Sequence, residues 1–346
     1  MINHMNILGI ETSCDETAAS IINVDRNDNA KVLSNVVYSQ IDTHKKFGGV
    51  VPEIAAREHV SKMLPVIDEA LSSAKINKEN IDCIAVTTGP GLITSLIIGI
   101  ETAKTLSYSW DIPLISVNHI EGHIYSSFID HKPDFPAIIL TVSGGHTILA
   151  LMKGHGSFEV LGETRDDAVG EAFDKAAKMM DLGYPGGPII SAEAEKLIIN
   201  NEELTIKLPR PMINSGDFDF SFSGLKTAIK YELKKDKDWK NKIPEYAHEF
   251  QQAAIDVLIH KTIKAAKLKN AKSIILTGGV SANKELRTQL ENAVKGKLNK
   301  VNFITPNFKY TTDNAAMIAM AGYYRSKKKE FTSWKDLRVD CTRELK

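Results

Sequence analysis

The chain has 346 residues, which is long for one hydrophobic core and comfortable for two. With 43% hydrophobic and 25% charged residues it has an ordinary globular composition, which excludes a disordered, collagen-like or disulfide-scaffold chain. Lys plus Arg and Asp plus Glu both number 43, so the net charge is zero; contacts to nucleic acid must come from local patches or from a partner, and the lysine clusters at 226–242, 261–272 and 326–329 read first as ordinary solvated faces.

The opening Met-Ile-Asn-His-Met-Asn runs straight into a strand-like segment, without a charged stretch followed by an apolar one. No signal peptide is expected, and the expected location is the cytoplasm. Residues 5–10 read as a buried strand, followed by the polar turn Thr-Ser-Cys-Asp-Glu-Thr and by strands at 17–24 and 32–39. Asp15 and Glu16 sit in that turn. Paired carboxylates in a cleft serve as a general base or hold a cation; on an open surface they are an ordinary turn pair. Cys14, Cys83 and Cys341 are odd in number, widely spaced and without a Cys-x-x-Cys pair, which argues against a disulfide framework or a structural zinc site and for a reducing compartment.

Residues 53–74 carry helical periodicity through Ile54, Val60, Met63, Leu64, Ile67 and Leu71. A short buried strand follows at 82–87, and a helix is predicted after the Gly-Pro-Gly at 89–91. The most apolar stretch of the chain, 92–100, is too short and too interrupted to span a bilayer. Next come a strand at 113–117 and a helix bearing His119 and His123. At spacing i, i+4 both rings lie on one helical face and can point at one ion; the alternative is two satisfied helix histidines. The residue after His119 is Ile120, and Glu121 points elsewhere on the helix, so the general base of a His-Glu-x-x-His protease is missing.

The pattern then begins again. Residues 137–142 are a strand, Ser143-Gly144-Gly145-His146 a turn, and 147–152 a return strand. The turn offers backbone N–H groups to phosphate oxygens, or is a plain hairpin. Asp174 lies in a strong helix, where its carboxylate either accepts ribose hydroxyls or pairs with Lys178 at i+4. Residues 183–224 are rich in Gly and Pro and read as functional loops. Strand 273–277 leads into Gly278-Gly279-Val280-Ser281-Ala282-Asn283 and a helix, a natural nucleotide position without the Gly-Lys-Ser/Thr ending of a Walker loop. Asp313 stands at the start of a predicted helix, as an N-cap or as a carboxylate ligand. Two His and one Asp leave coordination positions open, as catalytic Zn²⁺ or Fe²⁺ sites do. An exposed helix end is expected at 325–329. The strand–turn–strand openings of both halves, and strand 82–87 against strand 273–277, read as a duplication in architecture.

The segments Gly-Ile-Glu-Thr-Ser-Cys-Asp-Glu-Thr (9–17), Gly-Gly-Val-Val-Pro-Glu (48–53), Gly-Pro-Gly-Leu (89–92), His-Ile-Glu-Gly-His (119–123), Ser-Gly-Gly-His-Thr (143–147), Gly-Glu-Ala-Phe-Asp-Lys (170–175), Tyr-Pro-Gly-Gly-Pro (184–188), Phe-Ser-Phe-Ser-Gly-Leu-Lys (220–226), Gly-Gly-Val-Ser-Ala-Asn (278–283) and Thr-Asp-Asn-Ala-Ala-Met (312–317) occur in that order. Together they resemble the TsaD/Kae/Qri family of tRNA N6-adenosine threonylcarbamoyltransferases over nearly the whole chain.

The resemblance implies an α/β chain with the actin/Hsp70/sugar-kinase-like (ASKHA) fold, two related lobes around a nucleotide cleft. Residues 1–133, completed by 313–346 crossing back, would form the N-terminal lobe, and 134–312 the C-terminal lobe. It implies transfer of the threonylcarbamoyl group from threonylcarbamoyl-AMP to N6 of adenosine 37 in tRNAs reading codons that begin with A. Carried over residue by residue, His119, His123 and Asp313 are ligands of one divalent metal ion, Fe²⁺ by family with Zn²⁺ as the alternative. Thr141, Val142, Ser143, Gly144, Gly145, Asp174, Gly187 and Asn283 line the adenylate site. As a mechanistic hypothesis from the paired carboxylates of the first turn, and not from the resemblance, Asp15 or Glu16 accepts the N6 proton. Thr141 stands where relatives more often have Leu, a change that a backbone contact tolerates. Asp-Leu-Gly precedes Tyr184 where many relatives read Gly-Leu-Asp, so that Asp has no transferable role. The implied partners are tRNA, a TsaB-like paralogue and a TsaE-like ATPase, with a homodimer as an alternative assembly and no membrane. Other classes stay open at this point: a metalloprotease, a small-molecule kinase of the same superfamily, and a non-catalytic scaffold paralogue.

Overall fold

The computed structural model describes residues 4–197 and 205–345. It divides into two compact units, residues 1–132 with 306–346 and residues 133–305.

In the first unit the strands are β1 His4–Glu11, β2 Glu16–Asp25, β3 Ala30–Ser39, β4 Cys83–Gly89 and β5 Leu114–Asn118, and the helices are α1 Ile41–Lys45, α2 Pro52–Ala74, α3 Ile93–Trp110 and α4 His119–Ser126. The sheet order is β3-β2-β1-β4-β5. β1 pairs antiparallel with β2 and parallel with β4, and β4 pairs parallel with β5. Residues 7–10 of β1 and 83–86 of β4 are apolar on both faces because both faces are covered. Leu8 and Ile10 pack against Met63 and Ile67 of α2 and Leu96 and Ile100 of α3.

In the second unit the strands are β6 Ala137–Val142, β7 Thr147–Gly154, β8 Ser157–Glu163, β9 Ser273–Thr277 and β10 Asn302–Ile304, and the helices are α5 Val169–Met179, α6 Gly186–Glu195, α7 Ser223–Lys235, α8 Ile243–Leu268 and α9 Lys284–Lys297. The chain then returns to the first unit, where α10 Ala315–Lys327 lies against β1 and α4. The second sheet runs β8-β7-β6-β9-β10, with β6 antiparallel to β7 and parallel to β9. This is the order and sense of the first sheet, strand for strand, so the duplication read from the turns is realised as a shared topology. The core joins Ile138, Leu140 and Val142 of β6 to Phe173 of α5 and Phe250 and Leu258 of α8.

Three expectations are corrected. α2 forms, but Val60 and Leu64 are each 64% exposed; its buried face is Ala55, His59, Met63, Val66, Ile67 and Ala70. The Gly- and Pro-rich stretch 183–224 is not all loop, since α6 starts at Gly186 and α7 at Ser223, while residues 198–204 lie outside those described. The end of α10 is only partly exposed, because Arg325 turns inward to the buried Glu121, which accepts from its Nε at 2.8 Å and its Nη2 at 2.6 Å. Among the described residues no helix is long and apolar enough to cross a membrane.

Candidate metal and adenylate sites

α4 begins where β5 ends. Asn118 caps it, its side-chain oxygen accepting from the N–H groups of Ile120 at 2.8 Å and Glu121 at 3.2 Å. The first helical residue is therefore His119, and the i, i+4 spacing brings His123 to the same face, the two ring centroids 4.7 Å apart. Asp313 meets both rings: its Oδ1 lies 3.1 Å from His123 Nε2 and 3.6 Å from His119 Nε2. One ligand atom from each residue lies within 4.8 Å of the others, so the group can hold a single metal ion. Two imidazoles and one carboxylate suit a borderline divalent ion.

Asp313 is not the cap of α10. That position belongs to Asn314, whose side chain accepts from Met317 N at 3.2 Å. Capping by the neighbour leaves the Asp313 carboxylate to turn toward the histidines. Glu121 faces away, as the helical phase requires, and is bound to Arg325.

Behind His119 lies a residue that the sequence reasoning passed over. Glu11 ends β1, is fully buried, and places Oε2 3.1 Å from His119 Nδ1. The same oxygen accepts from Thr87 Oγ1 at 2.6 Å, and Oε1 accepts from Ser13 N at 2.5 Å. Ser13 Oγ is also 3.0 Å from His119 Nδ1. Burial opposes ionisation of Glu11, but the His119 charge and hydrogen bond outweigh it and hold the carboxyl below its usual range. Burial likewise opposes a charged His119, yet Asp313 and Glu11 prevail and raise its pKa to about 9. The sequence signal was an acidic residue closing the buried apolar run of residues 7–10.

Asp15 and Glu16 follow in the β1–β2 turn, Asp15 buried and Glu16 partly so. Burial and then repulsion from Asp313 and Asp15 push Glu16 well above the carboxylate range. Burial, Asp15 and Asp313 keep the Cys14 thiol protonated, which makes it a poor thiolate ligand or nucleophile. The turn is braced by His59, whose Nε2–H donates to the Cys14 carbonyl at 2.9 Å while Nδ1 takes the Thr17 hydroxyl at 2.7 Å. Burial holds this ring below the usual histidine value.

In the second unit Thr141 and Val142 are buried at the end of β6, and Ser143, Gly144 and Gly145 form the turn into β7. Ser143 closes it, its N–H donating to His146 O at 2.8 Å and its Oγ accepting from His146 N at 3.1 Å. Gly144 and Gly145 are exposed, and a Cβ on either would meet nothing within 4 Å. Gly278, at φ +88, passes so close to the Val142 carbonyl that no side chain fits. This joins the ends of the parallel strands β6 and β9, the edge at which open α/β sheets take ligands. Asp174 accepts from Gly186 N at 2.7 Å at the start of α6. Burial raises the Asp174 carboxyl, and hydrogen bonds from Gly186 and Gly187 partly offset this. Asn283 caps α9 through Leu286 N at 2.9 Å, and its Nδ2 reaches Gln251 Oε1 at 2.7 Å and Ser191 Oγ of α6 at 3.4 Å. Gly187 thus lies on α6 between the residue that anchors the helix and the one that touches Asn283.

The paired five-stranded sheets with helices on their faces define the chain as a two-lobed α/β protein of the actin/Hsp70/sugar-kinase-like class. Solved structures bear this out. HypF of T. kodakarensis matches with a TM-score of 0.60 at 12% identity, over 95% of this chain and 49% of that one. The activator of 2-hydroxyisocaproyl-CoA dehydratase from Clostridium difficile matches with a TM-score of 0.52 at 11% identity, over 95% of this chain and 98% of that one. Within that class the family is given by sequence. The profile described as TsaD, tRNA N6-adenosine threonylcarbamoyltransferase, matches residues 31–320. Proteins of that name are 52% identical in Persephonella marina, over 93% of this chain and 91% of the relative, and 49% identical in Thermosipho melanesiensis, over 99% of both. A third, in Bacillus cereus, is 50% identical over 91% of this chain and 90% of the relative. The chain belongs to the tRNA N6-adenosine threonylcarbamoyltransferase family and is a transferase.

Proposed function

We propose that this chain moves the threonylcarbamoyl group of threonylcarbamoyl-AMP to N6 of adenosine 37 in tRNAs that read codons beginning with A. The observation that carries the reading is the family match over residues 31–320, which includes both histidines and the aspartate of the convergent His119, His123 and Asp313 group. In the reaction the N6 lone pair attacks the carbamoyl carbon, the bond from that carbon to the phosphate oxygen breaks, and AMP leaves with the electron pair. N6 gives up one proton.

The amine is a weak nucleophile because its lone pair is delocalised into the ring, so positioning of the two substrates has the most to contribute. A divalent ion on His119, His123 and Asp313 would supply a Lewis acid toward oxygens of the threonylcarbamoyl group. Fe²⁺ is the proposed ion, and the donor set accommodates Zn²⁺ as well. The N–H groups of the 143–145 turn receive the phosphate of the departing AMP and stabilise its charge. Asp174, Gly187 and Asn283 hold the nucleoside, and Thr141 and Val142 contribute backbone. Asp15 or Glu16 accepts the N6 proton. Glu16 is the poorer acceptor while burial and the Asp313 charge keep it protonated, and a cation held by Asp313 would relieve the repulsion. A TsaB-like paralogue and a TsaE-like ATPase are the proposed partners, with homodimerisation as the alternative, and the cytoplasm is the proposed location.

The test is mass spectrometry of tRNA nucleosides from cells depleted of their own enzyme of this family. Threonylcarbamoyladenosine should return with the wild-type chain and not with His119→Ala. Absence with both, when the chain's own partners are supplied, would overturn the reading.

A further inference from the structure

Glu11 is buried to the last atom, at the end of the buried apolar run of residues 7–10. A buried carboxylate is retained at such a place only when it is fully hydrogen-bonded and opposed by positive charge. The bonds are all present. Oε1 takes the Ser13 N–H, and Oε2 takes the Thr87 hydroxyl and faces His119 Nδ1 at 3.1 Å. A cation held across the imidazole would supply the opposing charge. His119 Nε2, on the far side of the ring, faces Asp313 at 3.6 Å, within the group formed with His123.

We propose that Glu11 is a positioning residue for the metal ligand His119, an inference that rests on the metal reading above. By accepting the Nδ1 proton, its carboxylate fixes, once the ring is neutral, the tautomer in which Nε2 carries the free lone pair toward Asp313 and His123. Thr87, on the neighbouring strand β4, sets the carboxylate plane, and Ser13 N–H holds its other oxygen, so the ring is aimed from the sheet rather than from its own helix. A partner of this kind also raises the basicity of the ligand, and losing one typically weakens metal binding about 10–100-fold. The order of the chain favours this assignment: Glu11 precedes the turn that carries Asp15 and Glu16, so one strand end positions the ligand and presents the paired acids.

The full-length protein is titrated with Co²⁺ against a competing chelator, as wild type, Glu11→Gln, Thr87→Val and His119→Ala, and His119 is followed by ¹⁵N NMR of histidine-labelled protein. Glu11→Gln should bind Co²⁺ about 10–100-fold more weakly. It should shift the cobalt visible spectrum and, above the His119 pKa of about 9, lose the single Nδ1–H tautomer of His119, at a melting temperature near that of wild type without metal. Thr87→Val keeps the carboxylate and should show a smaller loss in the same direction, which covers the case in which Glu11→Gln fails to fold. Wild-type affinity and an unchanged His119 tautomer in Glu11→Gln, or in Thr87→Val where Glu11→Gln is unfolded, would overturn the proposal. A wild type that binds Co²⁺ no better than His119→Ala would instead overturn the metal reading beneath it.

Discussion

Asn118 ties the helix that carries both histidines to the far end of the chain: its oxygen caps α4, and its amide donates to the carbonyls of Arg343 at 3.2 Å and Glu344 at 3.0 Å. The Arg343 guanidinium returns the contact, bonding Thr88 Oγ1 and Ser116 Oγ on β4 and β5. One side chain therefore serves the helix start and the docking of the C-terminal segment, and two substitutions separate those duties. Asn118→Asp keeps a good cap but loses the amide donor; Asn118→Ala loses both. Asn118→Asp should raise hydrogen exchange in residues 340–345 and leave α4 protected. Asn118→Ala should also cost about 1 kcal/mol of stability by urea denaturation. Protection of 340–345 unchanged in both variants would show that Asn118 does not hold the tail.

Asp313 gives the sharpest test of the candidate metal group, because Asn314 and not Asp313 caps α10. Asp313→Asn is isosteric and leaves the cap intact, so the fold should be retained. Metal content measured on the purified protein should nevertheless fall, and threonylcarbamoyl transfer should drop by about 100-fold or more, the order expected when transition-state charge stabilisation is lost. Loss of the fold in parallel with activity would return Asp313 to a structural role.

Two glycines near the end of β6 should respond in opposite ways. Gly278 sits at φ +88 against the Val142 carbonyl, and alanine there must strain the backbone, move it, or both. A cost of roughly 1–3 kcal/mol is expected. Gly144 has open space where a Cβ would go and no left-handed φ, so Gly144→Ala should leave thermal unfolding unchanged. If the 143–145 turn receives the adenylate phosphate, the same change should weaken AMP binding in a calorimetric titration. AMP affinity equal to wild type would remove the turn from the nucleotide site.

The buried strands were legible because a doubly covered strand is an apolar run ended by turn residues, as in 82–87 and 137–142. The shared topology of the sheets was foreshadowed by the matching polar turns. Elements whose signal is mixed were not legible. β8 is an edge strand with only Gly162 buried, so no apolar run marks it. α6 opens with Gly-Gly-Pro, a loop signature that the first turn of a helix tolerates, and Asp174 holds that turn from outside. On α2 the periodicity was right and the face was wrong, since Ala55, His59 and Ala70 take the core while Val60 and Leu64 face outward. His119, His123 and Asp313, left open by their residue types and grouped by the resemblance, do converge in space. Glu11 and His59 were missed because their work is done across tertiary contacts, between β1 and α4 and between α2 and the 11–16 turn.

Asp167 should give part of the protein's acid stability a definite pH window. Burial disfavours its charge, but hydrogen bonds from Lys175 at 2.6 Å and from Lys226 outweigh this and hold the folded carboxyl below 3.8. A carboxyl depressed in the folded state binds fewer protons there than in the unfolded chain. Its contribution is therefore complete above the unfolded value and is lost as pH falls through the folded one. Both lysines are partly exposed, so solvent screening limits the contribution to about 1 kcal/mol. Asp167→Asn carries no such titration. The difference in unfolding free energy between wild type and variant, from urea denaturation at constant ionic strength, should be flat between about pH 7 and 5 and shrink below about pH 4. A difference that holds constant through that lower range would mean that Asp167 acts through packing or hydrogen bonding common to both side chains, and not through its charge.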